Sequence, residues 1–97
     1  MANNSKYQTP SKDAFFDAVL SLEDRDECYN FFEDIMTIKE LQDISQRWQV
    51  ATLLSEGKTY SAIVAETGAS AATISRVNKS LNYGNGSYRV IMEKLKK

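Results

Sequence analysis

Apolar residues recur along this chain every three or four positions, which is the spacing of one face of an α-helix. Two such stripes occupy the first third of the chain: Phe15, Phe16, Val19 and Leu20, then Cys28, Phe31, Phe32 and Ile35. A longer stripe follows over Leu41, Ile44, Trp48, Ala51 and Leu54, and a last one carries Tyr88, Ile91 and Leu95. No alternating strand pattern and no repeat occurs. The pattern predicts an all-α fold of about six helices.

Polar capping residues and glycines indicate where these helices begin and end. Residues 1–10 read as a flexible arm, after which Ser11 is expected to cap the first helix. Thr37 with Glu40 three positions later is the capping-box pattern, and it opens the longest helix, about residues 38–55, which ends before Gly57. Residues 11–97 are therefore predicted to form a single helical domain.

The segment 59–81 has the pattern of a helix-turn-helix. Short helices are expected at about 60–66 and 71–81, capped by Thr59 and Ser70, with Gly68 at the point where the chain must adopt a positive φ. The turn is three to four residues long, as this motif requires. We expect the inward side chains to be Ile63 and Val64 on the first helix, with Ala65 at a close helix crossing, and Ile74, Val77 and Leu81 on the second.

The opposite face of the second helix carries small or hydrogen-bonding side chains near its N-terminal end. Small residues let a helix enter the major groove, and Thr, Ser and Arg can contact base edges and phosphates. We therefore predict a double-stranded DNA contact surface formed by Thr59, Ser70, Ala71, Ala72, Thr73, Ser75, Arg76 and Lys79. The alternative is a helix pair that packs only against protein, as an interaction module without DNA binding. Retention on DNA resin separates the two hypotheses.

The distribution of charge favours the DNA-binding interpretation. The chain has a net charge of −1. Residues 1–57 contain five basic and eleven acidic side chains, a balance of −6, whereas residues 58–97 contain seven basic and two acidic ones, a balance of +5. Chance clustering of solvated charges is the simpler explanation, but the basic half is also the half that contains the predicted motif.

Residue types that are absent argue against catalysis and metal binding. The chain has no histidine and a single cysteine, Cys28, so it can form neither a His-based catalytic pair nor a zinc site. We expect no enzymatic activity and no metal. A lone cysteine, no signal peptide and no apolar run of the roughly 18 residues that a membrane span requires predict a soluble cytoplasmic protein.

Several of these segments resemble the tryptophan repressor superfamily. The resemblance runs from Lys58-Thr59 through Thr73-Ile74-Ser75-Arg76 to Lys79-Ser80-Leu81, and includes Met36-Thr37 and Gln46-Arg47. The segments Glu27-Cys28-Tyr29, Phe31-Phe32-Glu33-Asp34 and 81–86 are similar to the YerC/YecD branch of Trp-repressor-like proteins. The resemblance to the superfamily covers about residues 11–96. It implies a six-helix subunit that intertwines with a second copy, and a repressor whose homodimer binds a two-fold-symmetric operator.

The resemblance also implies positions for an effector. In the tryptophan-responsive members a threonine, two arginines and a serine hold the corepressor, and here the matching residues are Thr37, Arg47, Arg76 and Ser80, with Gln46 as the alternative to Arg47. Those repressors have a glycine after the second arginine, where this chain has Val77. A β-branched side chain there should obstruct an indole ring, so an amino-acid-like corepressor other than tryptophan stays open. Each arginine could instead pair with a carboxylate, and Arg76 could contact phosphate.

Overall fold

The computed structural model describes residues 5–96, and within that range every regular element is an α-helix. The helices are α1 Pro10–Leu20, α2 Arg25–Ile35, α3 Ile38–Ser55, α4 Tyr60–Thr67, α5 Ala71–Tyr83 and α6 Ser87–Leu95. The all-α prediction and the number of helices are confirmed. None of these helices is both long and apolar enough to cross a membrane. The chain divides into two compact units, Met1–Met36 and Thr37–Lys97.

The first unit contains α1 and α2, which meet through aromatic side chains. The rings of Phe15 and Phe31 stack with their centroids 6.1 Å apart. α1 begins earlier than expected, because Thr9 and not Ser11 is its N-cap and accepts a hydrogen bond from the backbone N–H of Lys12 at 3.1 Å. Pro10 can open the helix since the first position needs no N–H donor. The predicted arm lies partly outside the described residues.

This first unit has no core of its own among its described residues. Neither α1 nor α2 contains a buried side chain. Large apolar side chains remain exposed, namely Phe16 at 55%, Leu20 at 82%, Tyr29 at 57% and Ile35 at 50%. Exposed apolar side chains that recur on two helices of one small unit form the kind of surface that often contacts a partner.

The second unit is built around the C-terminal half of α3. Its core consists of Val50, Ala51, Leu53, Ile63, Ala69, Ile74 and Val77. α6 covers one side of this core through Tyr88 and Met92, and the ring of Tyr88 stacks on Trp48 at 6.0 Å. The predicted seam of α3 was incomplete, since it lacked Val50 and Leu53 and included Ile44, which is 46% exposed. On α6, Ile91 and Leu95 are likewise exposed.

The ends of α3 agree with the prediction. Thr37 and Glu40 form a reciprocal capping box: the Thr37 hydroxyl accepts from the Glu40 N–H at 3.0 Å, and the Glu40 carboxylate accepts from the Thr37 N–H at 2.9 Å. Gly57 follows the helix with φ +83°. Both devices act within one helical turn, so they set the length of α3 independently of the rest of the fold.

Candidate nucleic-acid interface

The turn between α4 and α5 has the predicted local geometry. The Thr59 hydroxyl accepts from the Ala62 N–H at 3.1 Å, and the Ser70 hydroxyl accepts from the Thr73 N–H at 3.1 Å. Gly68 ends α4 with φ +73° and donates its N–H to the Val64 carbonyl at 2.9 Å. Each helix of the pair therefore begins at a side-chain cap, and the chain reverses at a glycine.

The packing of α4 differs from the prediction at two positions. Ile63 is fully buried, but Val64 is 43% exposed and Ala65 is also exposed. The small buried side chain is instead Ala69, 2% exposed, which lies in the turn itself. A helix of eight residues turns only about twice, so α4 places one side chain in the core and the turn supplies the next.

The inward face of α5 is confirmed, because Ile74, Val77 and Leu81 are at most 5% exposed. The opposite face is open: Ala71, Ala72, Ser75, Arg76 and Lys79 are exposed, and Thr73 is half-buried. The Ser70 hydroxyl also donates to the Thr73 hydroxyl at 3.1 Å. The first two turns of α5 thus present short side chains and hydroxyl groups on a helix that is held by its buried face.

The charge around α5 is positive. No acidic residue occurs between Glu66 and Glu93 in the sequence. In the described part of the second unit the ion pairs are Lys39–Asp43 at 3.1 Å and Lys96–Glu93 at 3.6 Å. Arg76 and Lys79 consequently have no carboxylate partner within that part of the unit, and their charges can act on an external anion.

The residues implied for an effector have varied surroundings. The Thr37 hydroxyl is used by the α3 capping box, and Arg47, Arg76 and Ser80 are exposed. Val77 is 2% exposed and belongs to the core. An aromatic ring placed close to residue 77 would have to displace this packed side chain, so the expected obstruction stays a prediction with a physical basis.

Sequence reasoning missed a hydrogen bond from α3 to α4 and a chain of two hydrogen bonds that links α6 to α5. Gln46 on α3 donates its side-chain N–H to the carbonyl of Thr67 at 3.2 Å. Arg89 on α6 donates to the Asn82 amide oxygen at 3.1 Å, and Asn82 in turn donates to the Asn78 amide oxygen at 3.0 Å. From the sequence alone, a polar residue on a helix surface is expected to face solvent. Hydrophobic periodicity identifies only apolar faces, so it could not predict these hydrogen bonds.

Comparison with known proteins places this geometry in a family. The chain is 52% identical over 84 residues to the YerC protein of Bacillus subtilis, covering 87% of this chain and 81% of that protein. A crystal structure of a candidate Trp repressor from Staphylococcus aureus superposes with a TM-score of 0.92 at 46% identity, covering 99% of this chain and 96% of that one.

A second solved structure, a TrpR-like protein from Eubacterium eligens, gives a TM-score of 0.92 at 53% identity, covering 97% of this chain and 96% of that one. The family model for the Trp repressor protein matches residues 11–96. That match includes all of α2 to α6 and nearly all of α1. The chain therefore belongs to the Trp repressor family, a family of DNA-binding regulators and not of enzymes.

Proposed function

We propose that this protein is a cytoplasmic transcriptional repressor that binds a two-fold-symmetric operator as a homodimer. The observation that carries the proposal is the outer face of α5. It combines small side chains, hydroxyl groups and two cations without carboxylate partners in the described part of the unit. A helix held by its buried face and open on the other can lie in the major groove.

The residues of this surface divide by chemistry. Ala71 and Ala72 allow close approach of the helix to the bases, and Ser75 and Arg76 have the hydrogen-bonding groups that read base edges. Lys79, one turn further along, suits a phosphate contact. Thr59, Ser70 and Thr73 contribute through the caps that set the helix N-termini, where unpaired N–H groups favour phosphate.

A second copy of the chain is the partner that we propose for the exposed apolar face of α1 and α2. Exposed side chains such as Phe16 and Leu20 lie on a unit in which no described residue is buried, and such a unit would be marginally stable alone. A two-fold dimer places the same patch of both subunits in one interface and two copies of α5 about 34 Å apart, the separation of successive major grooves.

The proposal is tested by selecting bound genomic fragments at fixed salt and then titrating one selected duplex with purified variants. We expect Arg76→Ala and Lys79→Ala each to weaken binding by about 5- to 100-fold, with Lys79→Ala lowering the salt slope by about one. Lys39→Ala is the matched control, since that lysine is paired with Asp43 on α3. The same titration with and without added amino acids tests for a corepressor.

Two results would contradict this assignment. One is a wild-type chain that is not retained on DNA resin and selects no fragment. The other is a titration in which Arg76→Ala, Lys79→Ala and Lys39→Ala all match the wild type while circular dichroism shows intact helices. Either result, together with recovery of a protein partner, would favour the helical interaction module.

A further inference from the structure

We propose that Gln46 is a positioning residue for DNA binding, which fastens the end of α4, where the turn of the helix-turn-helix begins, to α3 and thereby sets the orientation of α5. This inference rests on the proposed function. Its basis is the hydrogen bond of 3.2 Å from Gln46 Nε2 to the carbonyl oxygen of Thr67. Gln46 is not proposed to contact DNA; it acts through the backbone at the end of α4.

The acceptor of this bond is a group that would otherwise lack a partner in the helix. Thr67 is the last residue of α4, and the last four carbonyls of any α-helix have no intrahelical donor. A backbone carbonyl can only accept, so the Gln46 amide must present its N–H there. Both residues are half-buried, which makes an unmade bond costly.

Thr67, at the end of α4, is also held through its side chain. The Thr67 hydroxyl donates to the Ile63 carbonyl at 2.7 Å and accepts from the Ala69 N–H at 3.0 Å. Ala69 is 2% exposed and belongs to the core. Thr67 therefore connects three elements: its hydroxyl joins α4 to the turn, and its carbonyl joins the end of α4 to α3.

The bond from Gln46 joins residues that are far apart in the sequence, and it therefore bears on how α4 and α5 are oriented on α3. It spans 21 positions, whereas the side-chain bond between α5 and α6, from Arg89 to Asn82, spans seven. Apolar packing of α4 and α5 on α3 is non-directional, and a hydrogen bond adds a direction and a length. Gln46 thus restricts how the helix pair can tilt on the helix that supports it.

The test compares donor and non-donor side chains at one position. In Gln46→Met the length of the side chain is kept and the donor is lost. We expect its affinity for a selected duplex to fall about three- to ten-fold, the equivalent of one ordinary hydrogen bond. The salt slope should stay at the wild-type value, because no phosphate contact is removed.

Gln46→Lys supplies the rescue. Its ammonium group can donate to the Thr67 carbonyl and is favourable at the C-terminus of α4. Gln49→Lys on the exposed surface of the same helix is the control for the added charge. We expect Gln46→Lys to bind as Gln49→Lys does, and circular dichroism at the titration temperature should show the same helicity for all variants.

The possible outcomes distinguish a failure of this inference from a failure of the proposed function on which it rests. A wild-type chain without DNA affinity would remove the proposed function and the inference together. A wild-type chain that binds while Gln46→Met binds equally well would overturn the inference alone. A Gln46→Lys variant that binds as weakly as Gln46→Met would also overturn it, since the retained donor would then have no effect. A salt slope of Gln46→Met that differs from the wild-type slope would overturn it as well, because such a change indicates direct contact with phosphate.

Discussion

At the scale of single residues, two glycines are required for different physical reasons. Gly68 has φ +73°, and a Cβ built there would meet nothing within 4 Å. Its requirement is therefore one of backbone conformation. Gly84, after α5, has an ordinary negative φ, but a Cβ there would lie 2.5 Å from the carbonyl oxygen of Ser80. Its requirement is one of space.

We expect Gly84→Ala to lower the free energy of unfolding by about 1–3 kcal/mol, because the backbone of α5 must shift to relieve the contact. Gly68→Ala should cost about 1–2 kcal/mol through its left-handed conformation, and Gly68→Asn should cost less, since asparagine tolerates that region. Urea denaturation measures all three. Asn85→Ala in the exposed loop is the control, and a Gly84→Ala variant as stable as this control would contradict the steric argument.

At the scale of elements, the helix-turn-helix depends on caps as much as on its apolar stripe. Ser70 begins α5, and its hydroxyl accepts from the Thr73 N–H and donates to the Thr73 hydroxyl. Ala71 and Ala72, which follow this cap, are among the residues proposed to approach DNA. The cap therefore orders the N-terminal turn of α5, the part of the helix that the proposal places in the groove.

For Ser70→Ala we expect a loss of about 1 kcal/mol in stability, the ordinary cost of an N-cap. Hydrogen exchange should show faster exchange of the Thr73 amide, with the amides of Val77 and beyond little changed, because fraying is confined to the first turn. Ser61→Ala is the matched control, since Ser61 is exposed on α4 and its hydroxyl makes no hydrogen bond to the described residues. Equal exchange in the two variants would show that the cap does not order α5.

At the scale of the whole molecule, the two units differ in what they bury. The second unit has a core of seven side chains around α3, whereas the described part of the first has no buried side chain and exposes Phe16, Leu20, Tyr29 and Ile35. A chain of 97 residues is expected to be only marginally stable when no described side chain of its first unit is fully buried. The proposed symmetric partner would cover these side chains and would also pair the two proposed DNA-contact surfaces.

Sedimentation should therefore give twice the 11.0 kDa mass of one chain. The thermal midpoint should rise with protein concentration, because folding of the first unit is coupled to association. Phe16→Glu is expected to shift the equilibrium towards monomer, while Asp17→Asn, its polar neighbour on α1, should not. A wild-type chain that stays monomeric with a concentration-independent midpoint would exclude the dimer.

The sequence by itself determined the features that depend on short-range geometry. The caps at Thr37, Thr59 and Ser70 and the turn at Gly68 were predictable, because each involves groups three or four residues apart. Ser11 was wrong for a local reason as well: Pro10 can occupy the first helical position, so the capping hydroxyl is that of Thr9. The buried stripe of α5 was also predictable, because Ile74, Val77 and Leu81 recur at the three- and four-residue spacing of a single helix face.

Only the tertiary structure decided which surfaces meet. That Ala69 and not Ala65 fills the space beside α5 depends on how far α4 turns before the chain reverses. That Gln46 reaches the carbonyl of Thr67 depends on two helices meeting across 21 positions. Such contacts follow from packing and leave no periodic trace in the residues that make them. The outer face of α5 was legible from the sequence, but the groups that hold it in place were not.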